Sequence, residues 1–282
     1  MIKLACMTWP YSGFPFERAL QGIAEAGYRY VSIGLPHEGQ PVFNDALPGE
    51  ASRVLQLLER YGLKPVTLIS TDAFAVNQPL EAAVRRMDFA VELGVEEMLS
   101  LGTTSYRRFP DEPISDEEMA PINAAFAEKY KLIAKEAEKR GLIISLKPHT
   151  GNTAAAKELN ETIQLIGSPA VKASYDPGNV QFYEGIDTVK DLPLIADQLA
   201  SFIAKDHRGK RAELDFPIPG EGDVDFPALF ASLKEADFKG PVIVERLDGR
   251  VESFTAEQLD ERVAAARSNL AMMLQEAGFE CE

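Results

Sequence analysis

Histidine, cysteine and tryptophan are scarce in this chain: its 282 residues carry three histidines, two cysteines and one tryptophan. Cys6 and Cys281 sit near opposite ends and form no C-x-x-C pair. Two such residues make no disulfide framework, and the reduced thiols of a cytoplasmic protein are expected. Basic residues are also short, with 29 Lys plus Arg against 44 Asp plus Glu, a net charge of −15. A nucleic acid is a dense line of negative charge whose binding needs a basic face, and no Lys/Arg-rich run supplies one. The same acidic balance disfavours anionic membranes. No apolar run reaches the roughly 18 to 20 residues of a membrane span. The start, MIKLACMTWPYSG, lacks the long apolar stretch of a secretory signal. No linker or low-complexity stretch sets off a second domain.

What is present is a regular alternation. Short apolar runs recur at Ile2–Met7, Tyr30–Ile33, Pro65–Ile69, Glu97–Leu101, Leu142–Leu146, Val171–Tyr175, Phe202–Ala204 and Val242–Val244. Between them the apolar residues fall at helical spacing. Val54, Leu55, Leu57 and Leu58 form one stripe. Ala82, Val84, Met87, Phe89, Ala90, Val91 and Leu93 make a broad buried face, and Phe126, Leu132, Ile133 and Ala137 another. Further helices are expected over Ala154–Ile166, Thr188–Leu199, Phe226–Ala236 and Ala256–Ala277. Gly27, Gly62, Gly94 and Gly141 each stand where a helix gives way to the next strand, the place where glycine ends a helix cheaply. About eight βα units in this length fit a closed parallel barrel, an α/β fold of the (β/α)8 TIM type. An open doubly wound sheet would carry a Gly-rich phosphate loop after its first strand, and MTWPYSGF is not one.

A barrel of this type keeps its chemistry at the C-terminal ends of its strands. Four consecutive strand ends here are polar. In GLIISLKPH (141–149) Ser145, Lys147 and His149 share one face by strand alternation. A lysine behind so apolar a run points into the barrel mouth, or else lifts its ammonium to solvent. VKASYDPGN (171–179) ends in Asp176, which either caps the following turn or points inward, with Asn179 close behind. In SFIAKDHRG (201–209) Ile203, Lys205 and His207 share a face, while Asp206 turns toward the helix layer or a neighbouring loop. GPVIVER (240–246) brings Glu245 to the inward face beside Ile243. His37 is a further mouth candidate. Trp9 and Tyr11 offer either an aromatic wall for a sugar or a lid contact. The Pro/Gly-rich loop around Pro219, Gly220, Glu221 and Gly222 is expected to close the mouth.

Taken together, LKPH, YDPGN, AKDHRG, PGEGDVDF and GPVIVER resemble the xylose isomerase-like TIM-barrel superfamily over most of the chain. That superfamily includes sugar and inosose isomerases, keto-sugar 3-epimerases and family-2 AP endonucleases. The resemblance implies one xylose isomerase-like domain over residues 1–282. It also implies a divalent metal held by Glu on the fifth strand, Asp on the sixth, His on the seventh and Glu on the eighth. Asp176 and Glu245 match two of these positions. The other two read Lys147 and Ile203, and Ser32 stands where the second strand often has an acid. Lys205 and Asp206 match the remainder of the seventh-strand motif.

Two arrangements follow. In one, no cofactor is needed: the Lys147 ammonium takes the place of the metal, pairs with Asp176 and Glu245 and polarises a substrate oxygen. Alternatively, Lys205 and burial depress its pKa, so that Lys147 acts as a base. In the other, a divalent metal (Mn, Zn, Fe or Mg) survives on His149, Asp176, His207 and Glu245. The implied activity is proton transfer next to the carbonyl of a polyhydroxylated or keto-sugar substrate, giving isomerisation or epimerisation through an enediol or enolate. A lyase or aldolase using Lys147 and an inactive sugar-binding protein are the alternatives. Lys147, Glu245, Asp176 and His149 are the expected catalytic residues, with Glu245 as general base. Lys205, His207, Arg208, Trp9, Glu221 and Asn179 are expected around the substrate. The implied partner is a small-molecule carbohydrate, with neither nucleic acid nor membrane; a homo-oligomer is left open.

Overall fold

The structure, a computed structural model, describes residues 1–250 and 253–282. Eight parallel strands close into a barrel: β1 Leu4–Met7, β2 Tyr30–Ile33, β3 Lys64–Ile69, β4 Glu97–Leu101, β5 Ile143–Lys147, β6 Val171–Tyr175, β7 Leu199–Ala204 and β8 Val242–Val244. Each strand lies beside its neighbours in sequence, and β8 closes on β1 through Leu4↔Val242, Ala5↔Ile243 and Cys6↔Val244. The principal helices are α1 Phe16–Glu25, α2 Glu50–Arg60, α3 Leu80–Leu93, α4 Asp116–Arg140, α5 Ala156–Ile166, α6 Pro177–Glu184, α7 Phe226–Glu235 and α8 Ala256–Glu276. This is the expected (β/α)8 TIM barrel. A short hairpin, Tyr106–Arg108 with Glu112–Pro113, decorates the β4–α4 connection. No helix among the described residues is long and apolar enough to cross a membrane.

The sequence pattern explains most of these elements. In α1, Ala19, Leu20 and Ile23 are buried on one stripe, and in α2 so are Val54 and Leu58. Gly94 and Gly141 end α3 and α4 at φ of +69° and +66°, conformations that cost other residues a steric clash. Three expectations fail. Thr188–Leu199 is not one helix: it holds a short helix at Thr188–Asp191 and two 3-10 turns, and Leu199 already opens β7. Pro193, without an N–H to donate, sits where the helix would have continued. Val91 and Leu132, placed on buried faces from spacing, are 50% and 48% exposed. They flank the stripes that α3 and α4 turn inward.

Two layers fill the barrel. The helix-facing residues of the strands pack under the ring of helices. Inside, Ala5, Met7, Tyr30, Ile69, Leu99, Ile203 and Ile243 form a separate apolar cluster. Near the N-terminal end of the strands lies a small polar layer, in which Ser201 bridges Glu97 at 2.5 Å and Ser174 at 2.6 Å. Burial raises the Glu97 pKa to about 7 against these hydrogen bonds. At the opposite end of the strands the barrel opens into a cavity.

Candidate active site

The strand alternation read from the sequence places Lys147 at the end of β5 and Lys205 one residue past β7. Asp176 follows β6 and Glu245 follows β8. The four side chains meet in a closed ring of alternating charge. Asp176 Oδ2 accepts from Lys147 Nζ at 3.0 Å and is ion-paired with Lys205 Nζ at 3.1 Å. Glu245 accepts from Lys205 through Oε1 at 2.6 Å and from Lys147 through Oε2. All four residues are buried. Buried ion pairs are weak evidence for stability, since desolvation offsets their attraction, so such a ring at a strand end argues for a role in chemistry.

The two lysines differ in what they leave available. Lys205 donates a hydrogen bond to Asn179 Oδ1 (2.9 Å) and is ion-paired with Asp176 at 3.1 Å and Glu245 at 2.6 Å. Asn179 is held for this by its own amide, which donates to Pro148 O at 2.7 Å. Lys147 donates to two acceptors only, and its third hydrogen has no partner among the described residues. Burial works to lower the Lys147 pKa, but the charges of Glu245 and Asp176 prevail and raise it above the ordinary lysine value. The depressed-pKa role considered for Lys147 therefore does not hold. Burial lowers the Lys205 pKa against both carboxylates, and Lys147 adds to the fall. Burial opposes ionisation of Glu245, yet Lys147 and Lys205 together bring it down to about 2. A carboxylate held so firmly ionised is a poor general base.

Asp176 unites the two readings of its sequence context. Oδ1 accepts from the Asn179 N–H at 2.9 Å and caps α6, while Oδ2 serves the ring. The same helix carries a residue that the sequence reading missed. Tyr183 stands four residues after Asn179, on the same helix face, and its hydroxyl meets His149 Nε2 at 2.8 Å. Burial, Lys147 and Lys205 lower the His149 pKa to about 4, so the imidazole is neutral at neutral pH.

These groups line one side of a cavity of about 620 Å³. Lys147, His149, Asn179, Tyr183, Lys205, Glu245 and Arg246 belong to it, and Trp9 stands at its edge, 38% exposed. Three expected substrate contacts lie elsewhere. His207 is fully buried, its Nε2 on Glu213 O at 2.8 Å and its ring beside Phe182 and Phe216. Alternation fails for it because the chain leaves the strand at Ala204. Arg208 and Glu221 line a separate groove, where the guanidinium donates to Glu221 O. The loop around Pro219 does not close the mouth. Asp206 pins it by accepting from the N–H groups of Gly220, Gly222 and Val224. His37 Nδ1 donates to Phe14 O at 2.9 Å away from the cavity, and Tyr11 is buried against Asp260.

The residues do not fit a divalent metal. Three of the four carboxylate oxygens of Asp176 and Glu245 already accept from ammoniums, and the fourth caps α6. Two adjacent positive charges would repel a cation at this range. The rearranged set His149, Asp176, His207 and Glu245 is not assembled, because His207 is tied to Glu213 O in its aromatic enclosure. Among the described residues no group of three or more His, Cys, Asp or Glu is placed to hold a metal ion. Ile203, at the position of the family's histidine, packs in the apolar barrel interior.

Comparison with known proteins agrees with this architecture. The family model described as "Xylose isomerase-like TIM barrel" matches residues 20–275. An inosose dehydratase of Geobacillus kaustophilus is 23% identical over 254 residues, covering 81% of this chain and 79% of that one. An L-ribulose 3-epimerase of a Methylomonas species is 24% identical over 262 residues, covering 88% and 82%. Among solved structures, a xylose isomerase domain protein of Alicyclobacillus acidocaldarius superposes with a TM-score of 0.74 at 17% identity, covering 99% of this chain and 100% of that one.

Proposed function

The chain belongs to the xylose isomerase-like TIM-barrel family, and from that premise we propose that it is an enolising enzyme. In this reading it moves a proton next to the carbonyl of a polyhydroxylated or keto-sugar substrate, as an isomerase or epimerase, without a resident metal. Relatives named as an inosose dehydratase and an L-ribulose 3-epimerase support the substrate class. The single observation that carries the proposal is the buried ring of Lys147, Asp176, Lys205 and Glu245 at the cavity, in which Lys147 has two acceptors among the described residues. The two lysines of the ring stand at and beside the strand ends where the resemblance implied a divalent metal.

The chemistry follows from the positions. A substrate carbonyl oxygen accepts the third hydrogen of Lys147, which stabilises negative charge as it develops there. The His149–Tyr183 pair takes the proton from the adjacent carbon, and the electron pair of that C–H bond becomes the C=C bond of the enolate. Returning the proton from the same pair to the neighbouring carbon, after the hydroxyl proton shifts, gives the isomer; the epimer forms when water delivers a proton to the other face while the pair keeps the one it took. Glu245 and Asp176 fix and neutralise the lysines, which moves Glu245 from base to positioning residue. Lys205, tied to Asn179 and paired with both carboxylates, positions the ring. Incubation of the protein in D2O with D-fructose, D-tagatose or an inosose tests the proposal. Deuterium is expected at the carbon next to the carbonyl, read by NMR. Absence of exchange in every one of a broad set of ketoses and inososes would refute it.

A further inference from the structure

The cavity is polar on one side only. The groups described above come from the ends of β5 to β8. The opposite wall, from β1 to β4 and the β2–α2 loop, is mostly carbon, with Leu35, Val42, Phe43, Ile69, Leu99 and Leu101; its hydroxyl, on Thr71, accepts from the Leu101 N–H at 3.2 Å. Its far rim is the one charged feature there among the described residues, and that charge is spent. Arg86 donates to Asp45 through Nε (2.6 Å) and to Asp72 through Nη1 and Nη2, and its guanidinium lies 4.9 Å from the Phe43 ring centroid. On β2 the hydroxyl of Ser32 is bound to Thr67 rather than turned to the cavity. A hydroxyl pressed against such a wall would lose its hydrogen bonds to water and gain none, a net cost. About 620 Å³ is also the size of cavities that take drug-sized molecules, more than a hexose fills.

We infer that the substrate is amphipathic: a polyhydroxylated carbonyl head that meets Lys147, joined to an uncharged apolar group about the size of a six-membered ring that fills the Leu35–Leu101 lobe. This rests on the enolising reading of the polar side and adds the chemistry of the other half of the molecule. No cation in the lobe is available to a phosphate or carboxylate, because Arg86 is consumed by its own two acids.

A matched pair of probes tests the inference: 6-O-methyl-D-fructose and 6-O-(cyclohexylmethyl)-D-fructose. They share the head and differ only in the apolar group. Trp9, the one tryptophan of the chain, edges the cavity, so quenching or enhancement of its fluorescence reports binding directly. Each buried methylene is worth roughly fourfold in affinity. The cyclohexylmethyl ether is therefore expected to bind at least about tenfold more tightly, even if only partly buried. Leu35→Asn and Leu101→Asn, at partly exposed lobe positions, should weaken the cyclohexylmethyl ether more than the methyl ether and bring the ratio to within about twofold. Equal affinities, failure of both ethers to bind, or a preference that survives in both variants would overturn the inference. Deuterium exchange on the same two ethers separates this from the parent reading. Exchange without preference leaves the enolising enzyme standing and removes the lobe. Preference without exchange, in these ethers and across the ketoses and inososes above, keeps the lobe and removes the enolising chemistry.

Discussion

At the scale of single residues, the account turns on Lys147. Lys147→Met keeps most of the unbranched side chain and removes the charge. Substrate deuterium exchange should fall by about 100-fold or more, the loss typical of a missing oxyanion donor. The variant should also lose roughly 3–5 kcal/mol of stability, because Asp176 and Glu245 then share one cation. Adding Glu245→Gln restores neutrality. The double variant should regain much of the stability in urea unfolding and none of the exchange, whereas recovery of both would mean that Lys147 is only structural. A second residue gives a test in the opposite sense of pH. The folded pKa of Glu97, about 7, lies above its ordinary value of 4.5, so the folded state binds the proton more tightly. Glu97 thus stabilises the fold below pH 4.5, and this contribution is lost as pH rises through 7. Glu97→Gln should be more stable than the parent at pH 8 by on the order of 1–3 kcal/mol, and the gap should close toward pH 5. A gap that widens on acidification would reverse the assignment. Side-chain alternation was enough to bring Lys147, Lys205, Asp176 and Glu245 to one mouth on paper. It could not show that Asp176 caps and pairs at once, because that needs its two oxygens resolved separately. His207 misled because alternation stops where the strand stops.

At the scale of elements, the loop after β7 owes its shape to one carboxylate. Asp206 accepts from the N–H groups of His207, Gly220, Gly222 and Val224 at 2.8 to 3.1 Å. A Cβ on Gly222 would collide with that carboxylate, so the glycine is there for close approach. Asp206→Ala would leave four donors to find water or remain unpaired. It should cost about 2–4 kcal/mol and open residues 216–224 to protease, seen by mass spectrometry of the first cleavage product. Unchanged stability and an uncut loop would show that the loop is held by something else. The elements themselves were largely legible, since apolar strand runs repeat eight times and several of the helices between them end at a glycine. The Thr188–Leu199 segment was not, because its apolar spacing suits a helix while Pro193 breaks it. Tyr183 was hidden for a milder reason: its signal is the four-residue spacing from Asn179, which means nothing until Asn179 is known to face the mouth.

At the scale of the whole molecule, closure of the barrel creates what no segment contains. It sets the polar ends of β5 to β8 across from the carbon wall of β1 to β4. The polar half was readable because its residues end strands and break apolar patterns. The apolar half was not, because Leu35, Val42 and Phe43 look like ordinary core until the loop carrying them is folded over the mouth. Closure also brings two lysines and two acids, from four strand ends, into a ring with the formal charge of a satisfied metal site. That ring is the central claim, and metal content tests it most directly. Purified protein, loaded with Mn, Zn, Fe and Mg in turn and then desalted, would be assayed for bound metal per chain by mass spectrometry. The two-lysine ring predicts well under one metal per chain at every loading, with the exchange activity unaltered by chelator. About one tightly held ion per chain, lost together with activity on chelation, would contradict it.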